Sequence, residues 1–153
     1  MAGEAKIDEL DRKILSMISK DARVPYLEVA RKCDVSGAAI HQRINRLSRL
    51  GIITGSEFIV DPQKIGYSTC GYIGIYLEKA SMYEDTVKKI EQIPEIVESH
   101  FITGEYSIFI KVYAKDNDHL KDILKNLQAI KGISRSETFI SLEENFKRQL
   151  PIE

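Results

Sequence analysis

Hydrogen-bond donors and cations are concentrated in the stretch from Ser36 to Gly51, SGAAIHQRINRLSRLG, which contains no acidic residue. If this stretch is a helix, one face of it carries His41, Gln42, Arg43, Asn45, Arg46 and Arg49. Side chains of these types bind phosphate oxygens and the edges of nucleic-acid bases. A helix with three arginines on its wet side is more often only a solvated surface, so the neighbouring elements must decide between the two interpretations.

A second group of functional side chains lies in the turn Thr103-Gly104-Glu105-Tyr106-Ser107. Gly104 permits a tight turn, and the segment offers backbone amides, a carboxylate, a phenol and two hydroxyls close together. Such a set can hold an amino acid, with Glu105 or a backbone carbonyl for the ammonium group and amides for the carboxylate. Most glycine-containing hairpin turns bind nothing, so the chemistry alone is weak support for a site.

Other chemistries find little support in the sequence. The 153 residues are 43% hydrophobic and 29% charged, as in an ordinary soluble globule. No apolar run has the length of a membrane span and the opening MAGEAKIDEL is polar, so we expect neither a leader nor an anchor. Cys33, Cys70 and the scattered histidines have no metal-ligand spacing, and no nucleophile–base pair or phosphate loop is present. The prediction is a cytoplasmic protein with reduced thiols, no metal, no cofactor and no catalysis.

The ends of the Ser36 helix are marked in the sequence. Ser36 is a good N-cap, and Val35 with Ile40 has the spacing of a hydrophobic staple. Gly51 can take the left-handed conformation that ends a helix, with Ile52 folding back on Leu47. One apolar stripe is predicted to face the core, made of Ile40, Ile44, Leu47 and Leu50.

Two further helices are predicted before this one. Ile7 to Lys20 has apolar residues at helical period, and its early acidic residues suit the helix dipole. A second helix, Tyr26 to Lys32, follows Pro25 and is expected to turn Leu27, Ala30 and Cys33 inward. Three helices with a tight turn before the last form a helix-turn-helix, whose last helix enters the major groove of DNA.

That docking divides the last helix into two parts. Its beginning would meet base edges, and the residues expected there are Ala38, Ala39, His41 and Gln42. Ser36, the N-cap, is also expected to belong to the DNA-binding surface. Further along, Arg43, Arg46 and Arg49 are expected to meet phosphates. Residues 22–50 hold six basic and two acidic side chains, a net +4 in a chain whose total is −1. Such a local concentration of charge is typical of a nucleic-acid-binding module.

The rest of the chain predicts a second domain. Ile52 to Val60 is β-prone and reads as a strand or small wing, which gives a helix-turn-helix domain over 1–60 and a linker over 61–67. Residues 68–153 then give the order β, α, β, β, α, β. The predicted strands are Thr69–Glu78, Ile96–Thr103, Ser107–Ala114 and Ile133–Leu142, and the predicted helices are Tyr83–Ile93 and Asn117–Ile130. The predicted class is α+β, with a winged helix-turn-helix followed by a ferredoxin-like βαββαβ domain.

Both faces of the predicted sheet are apolar. Ile108, Ile110 and Val112 point to one face, and the opposite face carries Tyr72, Tyr76, Phe109 and Tyr113. A half-solvated antiparallel sheet should be polar on its wet side, so we expect the second face to pack on a partner subunit. An RNA-binding module with stacking aromatics is the alternative, although the basic charge lies in the other domain. A metabolite sensor without DNA binding is a further alternative.

The motifs together resemble the Lrp/AsnC (feast/famine) transcription regulators. The resemblance runs from DELDRKIL through RVPYLEVARKCDVSGAAIHQRINRLSRLGIITG to TGEYSIFIKV and SETFISL, nearly the whole chain. It implies dimers through face-to-face sheets, often octamers, and an amino-acid effector bound between dimers. The implied effector residues are Thr103, Gly104, Glu105, Tyr106, Ser107, Ser136 and Thr138.

The turn departs from the common family pattern. Many members read Gly-Asp-Tyr-Asp, and here Glu105 and Ser107 stand at the two acidic positions. TGEYSIFIKV is similar to asparagine-responsive members, which implies an effector like asparagine or glutamine. The resemblance does not fix which amino acid is bound.

Overall fold

The computed structural model describes residues 6–153, and its chain divides into two compact units. One unit runs up to Ile59 and includes Phe146–Glu153, and the other is Val60–Asn145. The boundaries drawn from the sequence (1–60, 61–67 and 68–153) stay a prediction. The first five residues, on which the expected absence of a leader partly rests, lie outside the described range. Within residues 6–153, no helix is long and apolar enough to cross a membrane.

The first unit contains α1 (Glu9–Lys20), α2 (Tyr26–Cys33) and α3 (Gly37–Arg49). Their apolar stripes meet around Ile14, Val29, Ala30, Ile40 and Ile44, all of which are buried. Burying these stripes is the main source of helix stability at such short lengths.

Both predicted signals at the ends of α3 are present in the structure. The Ser36 Oγ accepts a hydrogen bond from the Ala39 amide at 3.1 Å. Gly51 has a φ of 72°, and the Ile52 amide donates to the Leu47 carbonyl at 3.0 Å, which is the Schellman arrangement. Ile40, Ile44 and Leu47 are buried as predicted. The prediction for Leu50 was wrong, since 46% of it is exposed.

Two other local predictions were wrong. Leu27 is 72% exposed because it lies over Gly37, where there is no side chain to cover it. Residues 55–60 form no strand, because no other segment of the described chain pairs with them. Phe58 and Ile59 are consequently 75% and 89% exposed.

The second unit is an antiparallel sheet covered on one face by helices. Its elements are β1 (Thr69–Leu77), α4 (Tyr83–Ile90), β2 (Ile96–Phe101), β3 (Ile108–Ala114), α5 (Asn117–Gln128) and β4 (Ile133–Ser141), with short 3-10 turns at Gln63–Ile65 and Ala80–Met82. The strand order is β2-β3-β1-β4, which confirms the ferredoxin-like prediction. Ile73, Ile75, Ile110 and Val112 are fully buried with Leu127 of α5, so the core lies between the sheet and the helices.

Candidate nucleic-acid interface and ligand turn

The exposed face of α3 carries donors and small residues. Ala38, His41, Gln42, Asn45 and Arg49 are exposed, and Ala39 is half-buried. The His41 ring forms a T-shaped contact with the ring of Tyr26 of α2, with ring centroids 4.7 Å apart and an interplanar angle of 70°. The residues predicted to read bases therefore share one accessible surface, and the His41 ring is held against a neighbouring helix.

Arg43 and Arg46 are turned towards α1. Each places an Nη1 atom 3.0 Å from a carboxylate oxygen of Asp11, which has no exposed surface. Arg43 also donates to Asp8, and the Arg46 Nη2 donates to the Lys6 carbonyl at 2.8 Å. Two of the three arginines predicted to meet phosphates thus bind charges of their own domain. Their phosphate role stays a prediction, and Arg49 forms no ion pair with any residue in the 6–153 range.

The two carboxylates that accept hydrogen bonds from these arginines also cap the N-terminus of α1. The Asp11 amide donates to the Asp8 Oδ1 at 2.8 Å, and the Asp8 amide donates to the Asp11 Oδ2 at 3.0 Å, a reciprocal capping box. The hydrogen bond from Arg43 is the main cause that lowers the pKa of Asp8 from 3.8 to about 2. Hydrogen bonds to Asp8 and Asp11 raise the pKa of Arg43.

The sequence contains a signal for this network, but the helix dipole alone also accounts for the acidic residues at the start of α1. Two acidic residues three apart at the start of α1 match two arginines three apart on α3. Periodicity shows that each pair lies on one side of its helix. It does not show that the two sides face each other.

The turn between β2 and β3 is anchored at its second end. Gly104 has a φ of 106°, the left-handed region that favours glycine. The Ile102 amide donates to the Ser107 carbonyl at 3.1 Å, and the Ser107 amide donates to the Ile75 carbonyl of β1 at 2.9 Å. Thr103, Gly104 and Glu105 are exposed, so the polar groups of the turn are accessible to a ligand.

Tyr106 leaves the turn and lies across the sheet. Its ring covers Gly74 of β1, and its hydroxyl donates to the Glu137 Oε2 of β4 at 2.7 Å. That hydrogen bond to a carboxylate is the main reason that the pKa of Tyr106 rises to about 12. Sequence reasoning missed Gly74 and Glu137, because a contact across three strands has no local pattern.

Ser136 and Thr138 flank Glu137 on β4 but point to the other face. They stand opposite Ile75 and Ile73, whose side chains are buried under the helices, while Glu137 stands opposite Gly74. Successive side chains of a strand alternate between faces. The structure therefore does not bring the Ser136 and Thr138 side chains together with Tyr106.

The sheet face opposite the helices, here called the outer face, carries an aromatic cluster. Tyr72 and Phe109 stack with ring centroids 6.0 Å apart and 14° between their planes. Lys111 is only 6% exposed, with its Nζ 5.8 Å from the Tyr72 ring centre and 5.3 Å from that of Tyr113. The predicted residues Tyr72, Tyr76, Phe109 and Tyr113 thus lie on one surface with Tyr106 and Phe139. Among the described residues, no three His, Cys, Asp or Glu side chains are grouped as metal ligands.

Comparisons with known proteins match both units. A winged helix-turn-helix DNA-binding family matches residues 7–54, and the Lrp/AsnC ligand binding domain matches residues 70–151. The regulatory protein AsnC of Haemophilus influenzae is 42% identical over 145 residues, which cover 94% of this chain and 97% of that protein.

Solved structures agree with these matches. Escherichia coli AsnC has a TM-score of 0.90 and 38% identity over 95% of this chain and 99% of its own. A Neisseria meningitidis transcriptional regulator solved in complex with L-Met has a TM-score of 0.87 over 94% of each chain. That regulator is 20% identical, so the likeness establishes a shared fold.

Proposed function

This chain belongs to the Lrp/AsnC family of DNA-binding transcription regulators, and on that premise we propose how its residues divide the work. The exposed donors of α3, above all His41 and Gln42, read base edges, with Ser36, Ala38 and Ala39 allowing close approach to the groove. Arg49 binds a phosphate. The charges of Arg43 and Arg46 are partly neutralised by their ion pairs with α1. Arg49 therefore contributes more to phosphate binding than either of them.

The observation that carries this proposal is the exposed, acid-free face of α3. His41, Gln42 and Arg49 lie on it with their polar groups open to solvent, while the opposite stripe is buried. A helix of this kind at the third position of a helix-turn-helix can place its first residues against the major groove. A bidentate contact from Gln suits adenine.

Binding to a selected DNA duplex tests the base-reading role of Gln42. The duplex is obtained by repeated selection from a random pool, and affinity is measured by fluorescence anisotropy at fixed salt. Gln42→Ala is expected to weaken specific binding about tenfold and to leave binding to random DNA nearly unchanged. Gln128→Ala, at an exposed position of α5, is the matched control. Equal affinity of wild type and Gln42→Ala for the selected duplex would contradict the assignment.

For the second unit we propose an amino-acid effector at the turn Thr103–Ser107. Glu105 binds the ammonium group, backbone amides bind the carboxylate, and the hydroxyls bind a polar side chain like that of asparagine or glutamine. Ser136 and Thr138 can contact this effector only through their backbone groups, or can contact an effector held by a second subunit. The reason is that their side chains point to the helix-covered face of the sheet. The exposed turn and the close similarity to AsnC proteins support this proposal.

Calorimetric titration with L-asparagine and L-glutamine tests the effector. We expect saturable binding of one of them and at least about tenfold weaker binding by Glu105→Gln. The matched control is Glu91→Gln, an exposed position after α4. Failure of the wild type to bind either amino acid would overturn the proposed effector class.

We further propose that the outer face packs against a second copy and that the dimers assemble further, into an octamer. The stacked aromatics and the nearly buried Lys111 support this, since such a surface is unlike a wet sheet face. The relatives are named as regulators, and we propose that this chain likewise acts without catalysis, in the cytoplasm, with the unpaired thiols Cys33 and Cys70.

A further inference from the structure

Gly74 leaves room for the Tyr106 ring at the centre of the sheet. The glycine is buried in the middle of β1, between Phe109 of β3 and Glu137 of β4. A Cβ atom at this position would lie 2.5 Å from the Tyr106 Cδ1 and 2.6 Å from its Cγ and Cε1. Contacts this short involve the root of the ring as well as its far edge. Any side chain at position 74 therefore forces the whole ring to move.

The Tyr106 ring is held from several sides once it lies over Gly74. Its centroid is 5.0 Å from that of Tyr76, 6.1 Å from Phe109 and 6.3 Å from Phe139. Its hydroxyl donates to Glu137. Such aromatic pairs and a hydrogen bond to a carboxylate fix the orientation of the ring.

Tyr106 therefore belongs to two surfaces at once. Its backbone is part of the turn Thr103–Ser107, which carries the exposed Gly104 and Glu105. Its ring lies among the outer-face aromatics, where the subunits are proposed to pack. A ligand that shifts the turn backbone would therefore shift or strain the Tyr106 ring. Conversely, packing of a partner against the outer face would restrict the position of the ring and, through it, of the turn.

We propose that Gly74 is a positioning residue that seats Tyr106, and that the seated ring couples occupancy of the Thr103–Ser107 turn to packing of the outer face. This inference rests on the proposed function at one point, the assignment of the turn to an amino acid. It adds to the proposed ligand site a glycine, which has no side chain to contact a ligand and is remote in sequence from the turn. It also gives the turn a physical route to subunit assembly, which ligand-driven switching requires.

A double-mutant cycle tests the packing of Tyr106 on Gly74 without any ligand. Glycine to alanine inside a strand is ordinarily favourable, because glycine loses more backbone freedom on folding. In the wild-type background the clash dominates, so Gly74→Ala is expected to lower the melting temperature by roughly 5 °C. In the Tyr106→Ala background, where no ring is present, the same change should lower it by less than about 1 °C.

Gly71→Ala is the matched control on the same strand. It lies on the helix side, and an added Cβ would meet the Val112 Cγ1 at 3.3 Å with no contact to Tyr106. Its effect on melting temperature should be the same in both backgrounds. An equal loss from Gly74→Ala in the two backgrounds would show that Gly74 acts through the strand alone, and would overturn the proposal.

The coupling is tested by sedimentation equilibrium and by titration with L-asparagine and L-glutamine. Gly74→Ala and Tyr106→Ala should each raise the dimer dissociation constant, and Gly74→Ala should weaken amino-acid binding roughly tenfold. Gly71→Ala should stay within about twofold of wild type in both measurements. A Gly74→Ala protein with wild-type association would overturn the coupling.

The two proposals fail in different ways. If the wild type binds neither amino acid, the effector assignment is wrong, while the melting and sedimentation results still decide whether Gly74 seats Tyr106 for subunit packing. If the wild type binds one of them and Gly74→Ala binds it equally well, the effector assignment stands and the coupling is wrong.

Discussion

Asp11 satisfies two requirements of the first unit with one buried carboxylate. It accepts the Asp8 amide as part of the cap of α1, and it accepts Arg43 and Arg46 from α3. A buried carboxylate with several charge-assisted partners is stable only while those partners remain. At the level of single residues, the arginines of α3 therefore differ in role even though the sequence presents them as one series.

Replacing arginines one at a time separates these roles. Arg46→Ala leaves Asp11 with one arginine fewer, so we expect it to lower the free energy of unfolding in urea by about 2 kcal/mol. Arg49→Ala should leave stability within about 0.5 kcal/mol of wild type. It should instead reduce the slope of log affinity against log salt for DNA by about one. A fully stable Arg46→Ala protein would show that the pair with Asp11 is dispensable.

The stability of the first unit is expected to depend on pH through the Asp8 carboxylate. Its pKa is 3.8 ordinarily and about 2 in the folded protein, so the unfolded chain takes up the proton first as the pH falls. The stabilisation is complete above 3.8 and is lost as the pH falls towards about 2. In Asp8→Asn, urea unfolding should become less dependent on pH over this interval. Parallel curves for the two proteins would contradict the Arg43–Asp8 interaction.

The α3 helix is defined by local signals at both ends, and its C-terminal end can be tested. Gly51→Ala places a side chain at a φ of 72°, which we expect to cost about 1 kcal/mol of unfolding free energy. Gly55→Ala is the control, because an added Cβ there meets nothing within 4 Å. Its effect should be within about 0.5 kcal/mol. Equal stability of the two variants would mean that the Schellman turn contributes little.

Elements with local signals were predictable from the sequence, and contacts between elements were not. The caps of α3 and the alternation of β3 placed those elements correctly, because both signals depend on near neighbours. The helical spacing of Leu27 predicts a core position, but whether the side chain is covered depends on Gly37 of another helix. The composition of Ile52–Val60 predicts a strand or a small wing, and a strand also needs a partner segment.

The candidate sites divide in the same way. The polar face of α3 and the glycine turn were visible as residue types at short spacing. The Asp11–Arg46 pair and the Tyr106–Glu137 hydrogen bond join positions 35 and 31 residues apart, and each depends on how whole elements pack. The alternation of β4 also separates Ser136 from Glu137, which composition does not reveal.

At the scale of the whole molecule, the proposed packing of two subunits through the outer face can be tested by introducing one charged residue. Phe109→Glu places a carboxylate among stacked aromatics, and burying it against a second copy is costly. We expect the dimer dissociation constant from sedimentation to rise about 100-fold or more. Gln128→Glu, exposed on α5, should leave association unchanged. A Phe109→Glu protein that remains a wild-type dimer would place the interface elsewhere.

The ion pairs between α1 and α3 have a consequence for the kinetics of DNA association. Because Arg43 and Arg46 already fix α3 on its own domain, the surface proposed to meet the duplex has its final shape before the encounter. If that surface is the one used, association should require no slow rearrangement, and we expect its rate to be set by diffusion and by the long-range attraction between opposite charges. Added salt should lower the association rate constant for DNA by a larger factor than it raises the dissociation rate constant.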